Sequence, residues 1–141
     1  MLCRLGCLPL MDRVGREAKP PWPRDLRTCV ACTTGRVEDV HHFIMECPKY
    51  AAKRAVLLKQ VVVELAKSEG DLKAVQFASM EPVDQLPVLL GKRFSDPSTE
   101  DRLDRTVKRF LSKCWNLRSE VTGAVNDALF TSYGIYTAPV A

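Results

Sequence analysis

The stretch "CVACTTGRVEDVHHFIMECPKY", residues 29–50, constrains the fold more than any other part of the chain. It places three cysteines and two adjacent histidines within nineteen positions and follows the last cysteine with a proline. Three explanations compete for this crowding: a metal clip, a nucleophile with its base, or an accident of composition. Zinc takes thiolates and imidazoles in a tetrahedron, commonly with one pair of ligands two residues apart on a tight turn. Cys29 and Cys32 have that spacing, and Thr33, Thr34 and Gly35 give the chain room to turn back. A histidine from 41–42 with Cys47 would complete the set. The step from His42 to Cys47 is about 140° around a regular helix of 3.6 residues per turn. Both side chains therefore reach one ion only if the helix carrying His42 ends before Cys47. Pro48 is placed to end it, because a proline drives its predecessor out of the helical region.

Three thiolates outweigh a dication by one negative charge, and Arg27, Arg36 and Lys49 lie near enough in the sequence to offset it. Apart from Phe43, Ile44 and Met45 the stretch has few large apolar groups, so it is expected to fold only around a bound metal. A nucleophile reading pairs a cysteine with His41 or His42, but no catalytic signature surrounds them. Redox use of C-x2-C belongs with an alternation of strands and helices that this sequence lacks. The metal reading is preferred, and the chain is read as no enzyme. His41 is then a spare, Cys3 and Cys7 are small core residues, and Cys114 is packing.

At 141 residues, with 46% apolar and 27% charged residues, the chain suits one folded domain. No apolar run approaches the roughly 20 residues that a membrane helix needs; the longest, around "AVLLKQVVVEL", is broken by Lys59 and Gln60. At the N-terminus Arg4 and Gly6 interrupt the apolar part, and Asp12 and Glu17 depart from an acid-poor transit peptide. C-x2-C with nearby histidines points to a reducing compartment rather than a disulfide framework. The expected location is intracellular, nuclear or cytoplasmic, with organelle import left open. Residues 1–60 hold 11 Lys/Arg against 6 Asp/Glu, and residues 61–141 hold 10 against 11. The basic front end is compatible with a polyanionic partner.

Along the chain, residues 1–16 read as a short helix or turn-rich hook, and "EAKPPWPRDLR" as an extended connector with Trp22 over the core. Pro48 suits the first position of a helix, in which Tyr50, Leu57, Leu58, Val61 and Leu65 recur at helical spacing before Gly70 ends it. "DLKAVQFASM" and "EPVDQLPVLLG" predict shorter helical segments, the second closed by Gly91. Ser98 is expected to cap the last helix with Asp101 answering three positions later. In that helix Leu103, Val107, Phe110, Cys114, Leu117, Val121, Ala124 and Ala128 step by four and three along one stripe. Asp101 and Asp104 stand four residues before Arg105 and Lys108, the spacing of helical ion pairs.

The segment "RVGREAKPPWPRDLRTCVACTTGRVEDVHHFIMECPKYAAKR" resembles the C-terminal tail of reverse transcriptases of LINE-type (non-LTR) retrotransposons. Those tails carry a Gly-Arg, a variable spacer, an Arg before C-x2-C, a Gly-x-x-Glu-Asp turn, His-Phe, Cys-Pro, an aromatic and a downstream Arg. Here these are Gly15-Arg16, Arg27, Cys29, Cys32, Gly35, Glu38-Asp39, His42-Phe43, Cys47-Pro48, Tyr50 and Arg54. The resemblance is strong over residues 13–54 and weaker afterwards, where "LPVLLG" and "VKRFLSKCWNLR" look like the helices that end such proteins. Its register selects His42 and implies a zinc ion (Zn2+) held by Cys29, Cys32, His42 and Cys47. It also implies an element that helps a retroelement protein grip nucleic acid. The polymerase part with its paired aspartates is missing from this sequence, so the chain reads as a detached tail, a fragment or a domesticated descendant. Nine residues separate the central ligands where a viral zinc knuckle has four, so knuckle-like base stacking is not implied.

The expected fold is all-α: a small irregular CCHC zinc element followed by a helical bundle with a long C-terminal helix. The expected organisation is a hook and Pro-rich connector over 1–28, the zinc element over 29–50, a helical region over 51–132 and a loose tail over 133–141. The expected function is a zinc-binding, non-catalytic nucleic-acid-binding module, DNA or RNA, with Arg13, Arg16, Arg24, Arg27, Arg36, Lys49, Lys53 and Arg54 as candidate phosphate contacts. The alternative is a structural or interaction subunit of a larger assembly, meeting a protein partner through the 103–128 helix.

Overall fold

Proline and glycine set the helix boundaries. The computed structural model describes residues 9–91 and 96–133, with side chains as far as Val121. Cys3, Cys7 and the tail from 134 onward lie outside the described residues, as do the side chains of Ala124 and Ala128. Among the described residues the fold is all-α, with helices α1 (Met11–Glu17), α2 (Ala51–Ser68), α3 (Asp71–Ser79), α4 (Pro82–Leu89) and the long α5 (Pro97–Tyr133). The one extended pairing among them is an isolated antiparallel bridge between Thr28 and Val37.

Pro48 opens a 3-10 turn, Pro48–Tyr50, that runs directly into α2. Tyr50, Leu57, Val61 and Leu65 are buried along one side of it, as the periodicity predicts. Gly70, at φ +95°, reverses the chain into α3, which buries Ala74 and Phe77 against α2. The buried Gln85 of α4 donates its side-chain amide to the Phe77 carbonyl at 3.0 Å and so satisfies an acceptor near the end of α3. Gly91, at φ +112°, lies just past α4.

Helix α5 begins differently from the capping box predicted at Ser98. Pro97 takes the first helical position, where its missing N–H costs nothing. The cap is Asp96, whose carboxylate accepts from the Ser98 N–H at 3.0 Å and the Ser98 hydroxyl at 2.7 Å. Of the two predicted ion pairs on this helix, Asp104–Lys108 forms. Arg105 instead donates to the Asp101 backbone carbonyl at 3.3 Å, its Nε lying nearer that oxygen than the carboxylate. Leu103, Val107, Phe110 and Cys114 are buried against the chain's own core, and Leu117 and Val121 are half-buried. Burial pushes the Cys114 thiol up to about 12, the behaviour of an inert packing group.

The core does not stop at the helices. Phe43, Ile44, Met45, Cys29 and Cys47 belong to the same buried cluster as the α2 and α5 stripes. Phe43 stands edge-on to Tyr50 at 5.0 Å and to Trp115 at 6.2 Å, tying residues 40–50 to α5.

Candidate metal centre

Two backbone bonds across the Thr28–Val37 bridge, Cys29 N–H to the Arg36 carbonyl at 2.8 Å and Glu38 N–H to the Arg27 carbonyl at 3.0 Å, close the loop that carries Cys29 and Cys32. Gly35, at φ +72°, supplies the left-handed residue this return requires. The second half of the site starts at Asp39. Its carboxylate accepts from the His42 N–H at 2.8 Å, its carbonyl accepts from the Phe43 N–H at 3.0 Å, and together they start the short helix bearing His42.

The demand that this helix end before Cys47 is met, and by a means the spacing did not specify. Residues His42–Glu46 form one turn of π-helix, closed by Cys47 N–H to the His42 carbonyl at 2.7 Å. An i→i+5 turn is wider than an α-turn, which brings positions five apart toward one face; such turns recur at functional sites. Cys47 itself leaves the helical region, at ψ 121°, as a residue before proline must. Arg54 then reaches back from α2 and donates to the Ile44 carbonyl at 3.2 Å and the Cys47 carbonyl at 2.8 Å, fixing the end of the turn.

Cys29, Cys32, His42 and Cys47 each offer a ligand atom, and these atoms lie within 4.8 Å of one another. Cys29 Sγ stands 3.8 Å from Cys47 Sγ, and Cys32 Sγ stands 3.4 Å from His42 Nε2. Cys29, His42 and Cys47 are buried and Cys32 half-buried. The other face of His42 is taken by Glu46, whose carboxylate lies 3.4 Å from Nδ1. A carboxylate there holds the proton on Nδ1 and leaves the Nε2 lone pair directed at the sulfurs. His41 is not among the four; it lies 3.1 Å from the same Glu46. This group of residues can hold a metal ion.

The thiols differ in readiness. Burial pushes Cys29 well above its ordinary value, with the Glu38 and Cys47 charges adding to the rise. Burial likewise raises Cys47, against a lowering bond from the Lys49 backbone. At Cys32 burial is outweighed by hydrogen bonds from the Thr34 hydroxyl and backbone, and the thiol falls to about 7. The more open cysteine therefore ionises first.

One buried ion pair escaped the sequence reading. Glu38 is fully buried, and Arg118, 80 residues away on α5, reaches it with NH2 at 2.6 Å and Nε at 3.1 Å. The same carboxylate accepts from the Met11 N–H at 2.8 Å, capping α1, and lies 3.6 Å from Cys29 Sγ. Arg118 also lies over the Trp115 ring at 4.8 Å. Were Cys29 a thiolate, its contact with Glu38 would set two anions together, and Arg118 supplies the compensating charge. A Glu-Asp turn before the histidines was visible in the sequence, but nothing local marked Arg118 as its partner. The only signal was position: Arg118 follows Cys114 by four residues, on the buried side of the stripe.

The eight candidate phosphate contacts divide into two kinds. Arg27 and Arg54 are used by the fold. Arg27 donates to the Trp22 carbonyl at 3.0 Å and the Asp12 carboxylate at 3.3 Å, and its stem lies against Gly15. Arg16, Arg24, Arg36 and Lys49 are exposed, while Arg13 and Lys53 are half-buried. Within the exposed group Arg16 pairs with Asp12 at 3.0 Å and Arg36 with Glu46 at 3.5 Å, surface pairs that a stronger anion can displace.

Fold and site together define a helical protein with a buried Cys3His group able to hold a metal ion. No protein-family model, curated protein or solved structure matches the chain. Among the described residues no helix is long and apolar enough to cross a membrane.

Proposed function

We propose that the protein is a zinc-binding, non-catalytic module that binds nucleic acid, of the kind that ends LINE-type reverse transcriptases. The observation that carries the zinc assignment is the geometry of the four ligand atoms. A tetrahedron with Zn–S near 2.3 Å and Zn–N near 2.05 Å has edges of about 3.8 Å between sulfurs and about 3.6 Å between sulfur and nitrogen. Two of the six edges, Cys29–Cys47 and Cys32–His42, are 3.8 and 3.4 Å, and all four atoms lie within 4.8 Å of one another, so a small inward movement of the ligands would close the rest of the tetrahedron. Three soft sulfurs with one imidazole suit zinc over the hard, oxygen-seeking cations. The role of the ion is structural: all four protein ligands close the tetrahedron, leaving no position for a substrate. Elemental analysis of protein purified without added metal should give one zinc per chain, and none in a Cys29→Ser/Cys47→Ser variant. A different metal, or none, would refute the assignment.

The nucleic-acid reading rests on the resemblance over residues 13–54 together with the exposed cations Arg16, Arg24, Arg36 and Lys49. Binding to short single strands, duplexes and hairpins is expected to weaken steeply as salt rises. No binding to any of them at low salt would remove this half of the proposal.

A second reading, a scaffold subunit that binds another protein, has one observation in its favour. Leu72, Val75 and Val83 on α3 and α4 are 61–71% exposed. The α5 stripe from Leu103 to Cys114 is taken by the chain's own core, so a partner would meet the protein elsewhere. Co-purification of a stoichiometric protein partner lost on Val75→Lys would favour this reading.

A further inference from the structure

Helices α2 and α5 leave a groove of about 280 Å³ between them, lined by none of the four ligands. Its floor is apolar, made by Val56, Leu57 and Phe110. Lys53, Arg109 and Lys113 line it, and no Asp or Glu does. The other cations of α5 are engaged within the protein: Arg102 with Glu64 at 3.0 Å, Lys108 with Asp104, Arg118 with Glu38, and Arg105 with a backbone carbonyl. The three cations of the groove have no carboxylate within ion-pair reach among the described residues. Gln60 and Thr106 add hydrogen-bonding groups to the lining.

We propose that this groove is a single-stranded nucleic-acid subsite, taking one unstacked base on the Val56–Leu57–Phe110 floor and its flanking phosphates on Lys53, Arg109 and Lys113. This rests on the nucleic-acid reading above and gives it a location that the resemblance did not, since Arg109 and Lys113 lie outside residues 13–54, where the resemblance is strong. Unpaired cations beside an apolar floor call for an anion with a flat apolar part, which a nucleotide has. Gln60 can both donate to and accept from a base edge. The Thr106 hydroxyl already donates to the Arg102 carbonyl at 2.9 Å and is left to accept. A duplex keeps its bases stacked and cannot place one there.

The test uses the zinc-loaded full chain and a fluorescent single strand of about 12 nucleotides, as RNA and as DNA, with the same sequence as duplex and an oligoglutamate peptide as comparisons. Lys53→Gln/Arg109→Gln/Lys113→Gln alters half-buried and exposed side chains only, and unchanged zinc content and circular dichroism verify its fold. The variant is expected to bind the single strand at least about tenfold more weakly. Its slope of log affinity against log salt should be shallower by about 1.4, since contacts to the two flanking phosphates are lost at roughly 0.7 each. A 4-thio-substituted strand should crosslink to peptides of α2 or α5 bordering the groove. If the parent binds and the variant matches it in affinity and slope, the groove inference fails and the proposed function stands. Crosslinks confined to residues 29–50 overturn it likewise. If the parent binds no nucleic acid, both fail, and oligoglutamate binding that the triple variant loses would reassign the groove to an acidic protein segment.

Discussion

Residues 28–50 and helix α5 enter the same core by opposite means. In α5 the buried apolar side chains are Leu103, Val107, Phe110 and Cys114, spaced so that an ordinary helix turns them inward. Each large apolar one contributes about 1.5–3 kcal/mol by leaving water. In residues 28–50 the buried set is Cys29, Glu38, His42 and Cys47 beside Phe43, Ile44, Met45 and Tyr50. A thiol, a carboxylate and an imidazole gain little from burial as such; each must find a ligand or a partner, or it destabilises the fold. One region is therefore held by area and the other by specific chemistry, and the Glu38–Arg118 pair is where they join. The lesson is that losing a partner should damage the front of the molecule far more than losing a methylene damages the back.

The largest test of that contrast is metal removal. Structural zinc contributes about 10–16 kcal/mol in small zinc elements, comparable to the whole stability of a domain. A chelator, or Cys47→Ser, should unfold residues 28–50, seen as lost hydrogen-exchange protection there. The pairing of α2 with α5 should keep most of its helical signal. Uniform loss or uniform retention would erase the distinction between the regions. The pH response should differ between the two states as well. Cys114 is buried in α5 with or without metal, and burial holds its thiol up at about 12. Above pH about 9 the native state keeps that proton while the unfolded state releases it, so stability falls as pH rises. With metal bound, Cys29 and Cys47 are thiolates and acid should release the ion, an acid limb that the chelated chain lacks. Urea midpoints across this range, with and without chelator, provide the check.

Next in size is the joint itself. Arg118→Met or Glu38→Gln, each removing one member of a buried pair, should cost about 3–5 kcal/mol in urea unfolding. The double variant should recover much of that, because no uncompensated charge remains. Additive losses would mean that the two residues act separately. A smaller effect is expected at Gly15, where an added Cβ would stand 2.5 Å from Arg27 Cγ and 3.1 Å from the Trp22 ring. Arg27 is pinned by two hydrogen bonds and yields poorly, so Gly15→Ala should cost about 1–3 kcal/mol. The smallest effect is at Tyr50, whose buried hydroxyl finds no hydrogen-bond partner among the described residues. Tyr50→Phe removes an unsatisfied group and should leave the melting temperature unchanged or raise it, by no more than about 1 kcal/mol of stability. A marked loss would show that the hydroxyl has a role in the metal-bound protein.

Much of this was legible in residue order. The stripe on α5, the buried positions of α2, the stops at Gly70 and Gly91 and the grouping of Cys29, Cys32 and Cys47 with a histidine from 41–42 follow from periodicity and spacing, which are local properties; the choice of His42 came from the family resemblance. The cap of α5 was misplaced because Ser98 and Asp101 fit a capping box, while Asp96-Pro97 fit the helix start better and lie just upstream. The π-turn was hidden for a different reason. Sequence spacing showed that an α-helix could not present both His42 and Cys47, but not whether the backbone would stop, widen or do both.

By itself the sequence determined which residues can be ligands, where helices begin and end, and which of their faces are apolar, because turn chemistry and hydrophobic period act within a few residues. Only the tertiary structure decided which charges are buried and which are free. Arg118, Arg109 and Arg54 look alike in a sequence; one is held by Glu38, one borders an open groove, and one clamps the Cys47 carbonyl. The energy of a charge depends on the carboxylates, carbonyls and water around it, and those are set by chain segments far away along the backbone.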